Sequence, residues 1–304
     1  MGLMGALPSR FRRPRVLIVG CGDVGLRVAQ LLHPRVRVLA LTSSPSKVAA
    51  LRSVGVVPLL GNLDQPATLR RLAGVAGQVL HLAPPPNDGA NQDPRTRALL
   101  QALARRSQPL ALVYGSTTGV YGDCAGQWVD ETRALNPQTA RAHRRVDAEQ
   151  QVRRWGRTLG VGTTVLRIPG IYGHNREGGA RERLQRGMPA LLPQDDVFTN
   201  HIHADDLARA CMLALWRGRP GAALNVTDDT DLKMGDYLDV AAELFGLPKP
   251  PRVSREQAAQ VLSPMVLSFM GESRRLSNLR MKTDLGLRLR YPTVQQGLVG
   301  HAAF

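Results

Sequence analysis

The residues with the most legible chemistry are three glycines, Gly20, Gly22 and Gly25, spaced as G-x-G-x-x-G. An apolar, β-branched run over 16–19 precedes them, and an apolar-periodic stretch through Leu26, Leu31 and Leu32 follows. Strand, tight turn and helix in that order are the setting in which this spacing binds a dinucleotide pyrophosphate. Gly20 permits the turn out of the strand, Gly22 lets the anion approach the backbone, and Gly25 lets the helix lie close to the strand. Asp23 and Val24 sit inside the pattern, where the first free N–H groups of the helix face the anion.

Two further clusters carry reactive types. Arg176, Arg181, Arg183 and Arg186 crowd one short stretch. They form either a solvated helix face or the recognition site for an anionic substrate group such as phosphate or carboxylate. His201, His203, Asp205 and Asp206 are metal-ligating types, but no matching cluster or closed ligand spacing accompanies them. The two aspartates suit the positive N-terminus of the helix that follows, and no metal is expected.

The elements that must position these residues alternate. Strands are expected over 16–19, 36–41, 56–60, 79–83, 110–114 and 163–168, with a late one over 223–226. Helices are expected after the glycine turn, from a Ser44-Pro45 cap to Leu51, near 95–105, and from Asn136-Pro137 to about Leu159. A short helix in an Arg- and Gly-rich loop ends near 187, and the remainder reads as mostly helical, broken at Pro248, Pro250, Pro251 and Pro264. The fold class is therefore α/β, a doubly wound parallel sheet of the Rossmann type. In such a sheet the end of the second strand selects the cofactor. Thr42, Ser43 and Ser44 offer no carboxylate to hold a ribose hydroxyl or repel a 2′-phosphate, and no arginine to clamp one. NAD(P) is expected, with a weak preference for NADP.

With 304 residues the chain can bury a large core. No apolar run reaches the roughly 18 residues of a membrane span. Residues 1–14 read as a basic, disordered leader, since they carry no sustained apolar stretch. Cys21, Cys124 and Cys211 are scattered, which points to a reducing cytoplasm without disulfides. The net charge of +16 is spread along the whole chain, and aromatics are too few for a base-stacking platform. Nucleic acid is not expected as a partner. A small, anionic substrate is expected, and a homodimer is compatible with the chain.

Several segments together resemble the short-chain dehydrogenase/reductase superfamily, in its extended or atypical, epimerase/dehydratase-like branch. They are the glycine turn, Ser116-Thr117-x-Gly119-Val120-Tyr121-Gly122, Leu166-Arg167-Ile168-Pro169-Gly170-Ile171-Tyr172-Gly173, His203-Ala204-Asp205-Asp206-Leu207, and a late Ser277-Asn278 to Tyr291-Pro292. The resemblance implies a Rossmann domain over 15–170, completed by about 201–228, and a small, mostly helical substrate domain from 171–200 and 229–304. Gly20, Gly22 and Gly25 would hold the pyrophosphate. Asn62 and Leu63 would lie beside adenine, and Leu82, Ala83 and Pro84 would line the cofactor. Thr117 falls at the catalytic Ser/Thr position. Tyr121 and Tyr172 are more often structural in relatives, yet Tyr172 and Arg176 border the substrate loop and are expected to contact substrate. His174 lies in the same loop.

The chain departs from the family where the proton moves. Relatives place a Tyr, and a Lys four residues later, on one helix face. Counting from Pro137 and Glu149, Arg141 stands at the Tyr position and Arg145 at the Lys position. Arg145 retains donors for ribose hydroxyls. A guanidinium is no proton donor at neutral pH, so Arg141 is expected to stabilise an oxyanion instead. His143 lies two residues from each arginine and should point away from their face. Two functions stay open: an oxidoreductase with an atypical active site, and a catalytically silent NAD(P)-binding redox sensor or regulator.

Overall fold

The computed structural model describes residues 13–173, 176 and 179–299. Seven parallel strands form the central sheet: β1 Arg15–Val19, β2 Arg37–Thr42, β3 Val57–Leu60, β4 Gln78–His81, β5 Ala111–Thr117, β6 Gly162–Ile168 and β7 Ala222–Asn225. Their order is β7-β6-β5-β4-β1-β2-β3. The order reverses between β1 and β4, the crevice in which such sheets bind ligands. Register places Val19 opposite both Leu41 and His81, so the glycine turn emerges beside the ends of β2 and β4.

Alternation along β1 builds the core on both faces. Val16 and Ile18 join Val28 and Leu32 of α1 (Asp23–Leu32) and residues of the helix Ala204–Arg217. Leu17 and Val19 join Leu99 and Leu103 of the helix Pro94–Leu103 and Val152 of Ala140–Leu159. With α2 at Lys47–Ser53 and a short helix at Ala180–Gln185, these are α3 (Pro94–Leu103), α4 (Ala140–Leu159), α5 (Ala180–Gln185) and α6 (Ala204–Arg217).

Helix starts differ from the sequence expectation. Thr42 Oγ1 accepts from the Ser44 amide at 3.2 Å, which closes a turn over Ser44-Pro45 and delays α2 to Lys47. Thr139, not Asn136-Pro137, caps α4 by accepting from the Ala142 amide, and Gly160 ends that helix in a left-handed conformation. Pro264 opens a helix instead of breaking one, with Ser263 as its cap.

A separate apolar cluster gathers Tyr172, Leu184, Tyr237, Leu238, Val294 and Leu298 from α5, the helix α7 (Met234–Phe245) and the C-terminal stretch. This part is less helical than the sequence suggests. Two-residue pairings join Ala190–Leu191 to Arg252–Val253 and Phe198–Thr199 to Leu232–Lys233. Asp206, fully buried, accepts from the amides of Arg290 and Tyr291 and pairs with Arg209, so the start of α6 clamps the C-terminal stretch.

Candidate active site

The three glycines of the turn meet three different surroundings. Gly20 has φ +90°, and a Cβ there would lie 2.4 Å from the Ala83 amide nitrogen. That amide and its Leu82 neighbour both donate to Val19 O, at 3.0 and 2.7 Å, which laces the end of β4 to the turn. A Cβ at Gly25 would lie 3.2 Å from Gly20 O and 3.3 Å from Ile18 Cγ2, where α1 crosses the strand. At Gly22, the N-cap of α1, a Cβ would meet nothing within 4 Å. The chain therefore leaves open space at the end of a helix with free N–H groups, a cradle that fits a pyrophosphate.

The rim of this cradle is charged. Asp23 lies in the first turn of α1, bonded to Arg27 at 2.9 Å and to Arg176 at 2.6 Å. Arg176 thus reaches the glycine turn, and it is not among the described residues lining the large cavity below. His174 lies outside the described residues. Val24 packs against the core under α1. Thr42 is buried, while Ser43 is exposed and no carboxylate stands at the end of β2. Asn62 spends its side chain on the Asp64 amide at 3.0 Å, and Leu63 is buried beside it. Arg95 donates twice to Asp64 at 2.7 Å and once to Pro84 O at 3.3 Å, bridging the loops after β3 and β4. Sequence reasoning missed Arg95, whose role depends on a partner 31 positions away.

A cavity of about 550 Å³ opens at the end of β5. Thr117, Arg141 and Tyr172 line it, together with Arg183, Tyr237 and Glu272. Thr117 Oγ1 accepts from the Gly119 amide at 3.4 Å, its remaining bonding directions being available to a ligand. Arg141 is exposed, with its guanidinium 4.9 Å from the Phe269 ring centroid. Partial desolvation at the cavity and the nearby Arg145 lower its pKa, with Glu272 opposing. Arg145 itself donates to Gly115 O at 2.7 Å and to Tyr114 Oη at 3.1 Å, against the last turn of β5. His143 is exposed and lines no part of the cavity.

Two tyrosines near the site, Tyr121 and Tyr172, are engaged. Tyr121 Oη donates to Asn225 Oδ1 and accepts from Arg167 Nη1, both at 2.8 Å, and burial pushes its pKa up to about 12. Tyr172 donates to Thr293 O at 3.2 Å, and burial raises its pKa well above the usual phenol value. Burial likewise lowers the pKa of His201, stacked on Tyr237 with ring centroids 4.0 Å apart, to about 3. His203 Nδ1 accepts from the Asp205 amide at 3.2 Å as the cap of α6, and Asp205 pairs with Arg27 at 2.5 Å. These residues hold helices in place. Tyr237 and Glu272 carry no motif that could have signalled them, because elements distant in sequence bring them to the cavity.

Residues 16–227 match the model of the NAD dependent epimerase/dehydratase family. A 3-diazoavenalumate denitrifying reductase of a Streptomyces species is 28% identical over 138 residues, which is 44% of this chain and 45% of that protein. A D-erythronate dehydrogenase of Cupriavidus necator is 29% identical over 178 residues, 51% of this chain and 55% of that protein. The chain spans about half the length of the curated relatives it matches. A functionally unknown conserved protein from Silicibacter pomeroyi DSS has a solved structure that is 34% identical, with a TM-score of 0.78 over 94% of this chain and 96% of that one.

Proposed function

Because the chain belongs to the NAD-dependent epimerase/dehydratase family, we propose that it is an NAD(P)-dependent oxidoreductase of epimerase/dehydratase or reductase type, acting on a small anionic hydroxyl or carbonyl compound. The observation that carries this reading is Thr117. It lines a 550 Å³ cavity at the same edge of the sheet as the open glycine turn. In our reading residues 15–170 and 201–228 hold the cofactor, and 171–200 with 229–304 hold the substrate. Both curated relatives carry carboxylates in their names, in keeping with an anionic substrate. NADP is preferred weakly, since Ser43 is exposed at the end of β2 with no acid beside it. The free thiols of Cys21, Cys124 and Cys211 suit a cytoplasmic protein. Among the described residues no helix is long and apolar enough to cross a membrane.

The cofactor, when bound, supplies hydride exchange with a substrate carbon. Gly20, Gly22, Asp23, Val24 and Gly25 place the pyrophosphate on α1. Thr42 and Ser43 would face the adenosine ribose, Asn62 and Leu63 the adenine, and Leu82, Ala83 and Pro84 the cleft between. Arg145 holds the nicotinamide ribose. Thr117 orients the reacting oxygen, and Arg141 stabilises negative charge developing on it. Tyr172 supports the substrate side of the cavity, and Arg176 closes the rim of the glycine turn through Asp23. Among the described residues none stands in for the missing Tyr as acid, so the proton passes to or from water or a group of the substrate.

A second reading, a silent NAD(P)-binding sensor, draws on that missing Tyr. A reductase and dehydrogenase screen with both cofactors, on wild type and Thr117→Ala, separates the two. General acid–base help contributes about 10²–10⁴-fold, so wild-type turnover should be slow by that factor and fall further in Thr117→Ala at unchanged cofactor affinity. Fast turnover indifferent to Thr117 would show the active site lies elsewhere. Tight cofactor binding with no turnover would establish the sensor. Strong exclusion of NADP(H) would refute the cofactor preference.

A further inference from the structure

The cavity wall holds a cation that its surroundings do not satisfy. Arg183, on α5, directs Nη1 to Met234 Sδ at 3.4 Å, a weak acceptor. Its Nε and Nη2 are buried, with no hydrogen-bond partner among the described residues. The aromatic groups whose charge could act on it are neutral. Burial holds His201 at a pKa of about 3 and raises Tyr237 above the usual phenol value. The two carboxylates among the described residues lining the cavity have arginine partners of their own, Glu272 with Arg274 and Glu182 with Arg186. A buried guanidinium with two empty donors is unfavourable until an acceptor meets it.

Which donors are empty names the acceptor. Nε and Nη2 form one edge of the planar guanidinium, and two parallel N–H bonds from that edge match the two oxygens of a carboxylate. We propose that Arg183 grips the carboxylate of a small hydroxy or oxo acid, whose reacting oxygen lies at Thr117. The assignment rests on the oxidoreductase reading of the cavity and narrows its substrate to one class. Both nitrogens are shielded as the side chain stands, so its end turns toward the incoming acid. Tyr237 stacked on His201 backs the site. A phosphate presents the same oxyanion edge, and the experiment separates the two.

Calorimetric titration in the presence of NADPH provides the test. The probes are glycerate and D-erythronate as carboxylates, glycerol 3-phosphate and erythrose 4-phosphate as phosphates, glycerol and erythritol as neutral polyols, and UDP-glucose. The carboxylates should bind and the others should not. Arg183→Met should weaken carboxylate binding roughly 10- to 100-fold, the loss of a charge-assisted pair. Arg183→Lys, which keeps the charge without the fork, should lose less. Both variants should bind NADPH as wild type does, which reports an intact fold. Absence of carboxylate binding, tighter binding of the phosphates or UDP-glucose, or affinity indifferent to Arg183→Met would each overturn the assignment. With NADP in place of NADPH as hydride acceptor, Arg183-dependent carboxylate binding without oxidation of any hydroxy acid defeats the oxidoreductase reading alone. Oxidation of neutral polyols by NADP that ignores Arg183→Met defeats the carboxylate assignment alone.

Discussion

Gly20 and Gly22 are two positions apart and predict opposite outcomes when a side chain is added. At Gly22 the added atoms enter open space, so Gly22→Val should leave the fold intact, at a cost of about 1 kcal/mol for a poorer N-cap residue. It should also weaken NAD(P) binding beyond detection, because the side chain fills the place of the pyrophosphate. Urea unfolding and calorimetric titration check the two halves, and wild-type affinity in the variant would remove the glycine turn from the cofactor site. Gly20→Ala, strained at φ +90° and driven into Ala83, should fail on stability instead. The surroundings of these glycines were legible because strand, spacing and helix all act locally. The four arginines of the substrate stretch were not. Arg176 reaches Asp23, Arg181 lies over Phe245, Arg186 pairs with Glu182, and Arg183 enters the cavity wall. A six-residue helix gives too little periodicity to tell these fates apart.

At the scale of elements, β5 and α4 are joined by a buried ionic network that also fixes the position of Thr117. Glu149 of α4 accepts from Ser116 Oγ at 2.6 Å and from Arg167 Nη2 at 2.9 Å, and both sides of that ion pair are almost fully buried. Arg167 extends the network to Tyr121, and Tyr121 to Asn225 at the end of β7. Removing one partner leaves an unmatched charge in the core. Glu149→Ala should therefore cost about 3–5 kcal/mol, read from urea midpoints, and a loss below about 1 kcal/mol would show the network to be energetically idle. The strands themselves were legible, because fully buried parallel strands are apolar runs bounded by turn residues. Helix starts shifted by two or three residues, since side-chain bonds from Thr42 and Thr139 decide them. The two-residue pairings of the C-terminal part left no signal, being too short for a period of two to show.

For the whole molecule, three buried titratable groups contribute strongly to the response to acid. His81 on β4 and His201 beside the cavity are held neutral by burial, with pKa values lowered to about 3. Asp228, beyond the end of β7 where the chain passes into the second apolar cluster, is raised to about 7 by burial. In the unfolded chain the histidines take up protons near 6.5 and the carboxyl near 3.9. Below about pH 6.5 the unfolded state therefore binds more protons at the two histidines, and stability falls as pH falls. Asp228 acts with the opposite sign. Its folded form binds a proton below about 7 that the unfolded form lacks, so its contribution is full below about 3.9 and is lost as pH rises through 7. Two groups against one leave a net of one proton, a loss of about 1.4 kcal/mol per pH unit on acidification between about pH 6 and 4 from these residues. Asp228→Asn removes the opposing contribution. The variant should be more stable than wild type at pH 8, and its stability should fall more steeply by about 1.4 kcal/mol per unit below pH 6. Urea midpoints of both proteins at pH 4.5, 5.5, 6.5 and 8 measure this directly. The two proteins share every other titrating group, so the difference between their slopes isolates Asp228, and parallel slopes would mean that its carboxyl is ionised in the folded protein throughout.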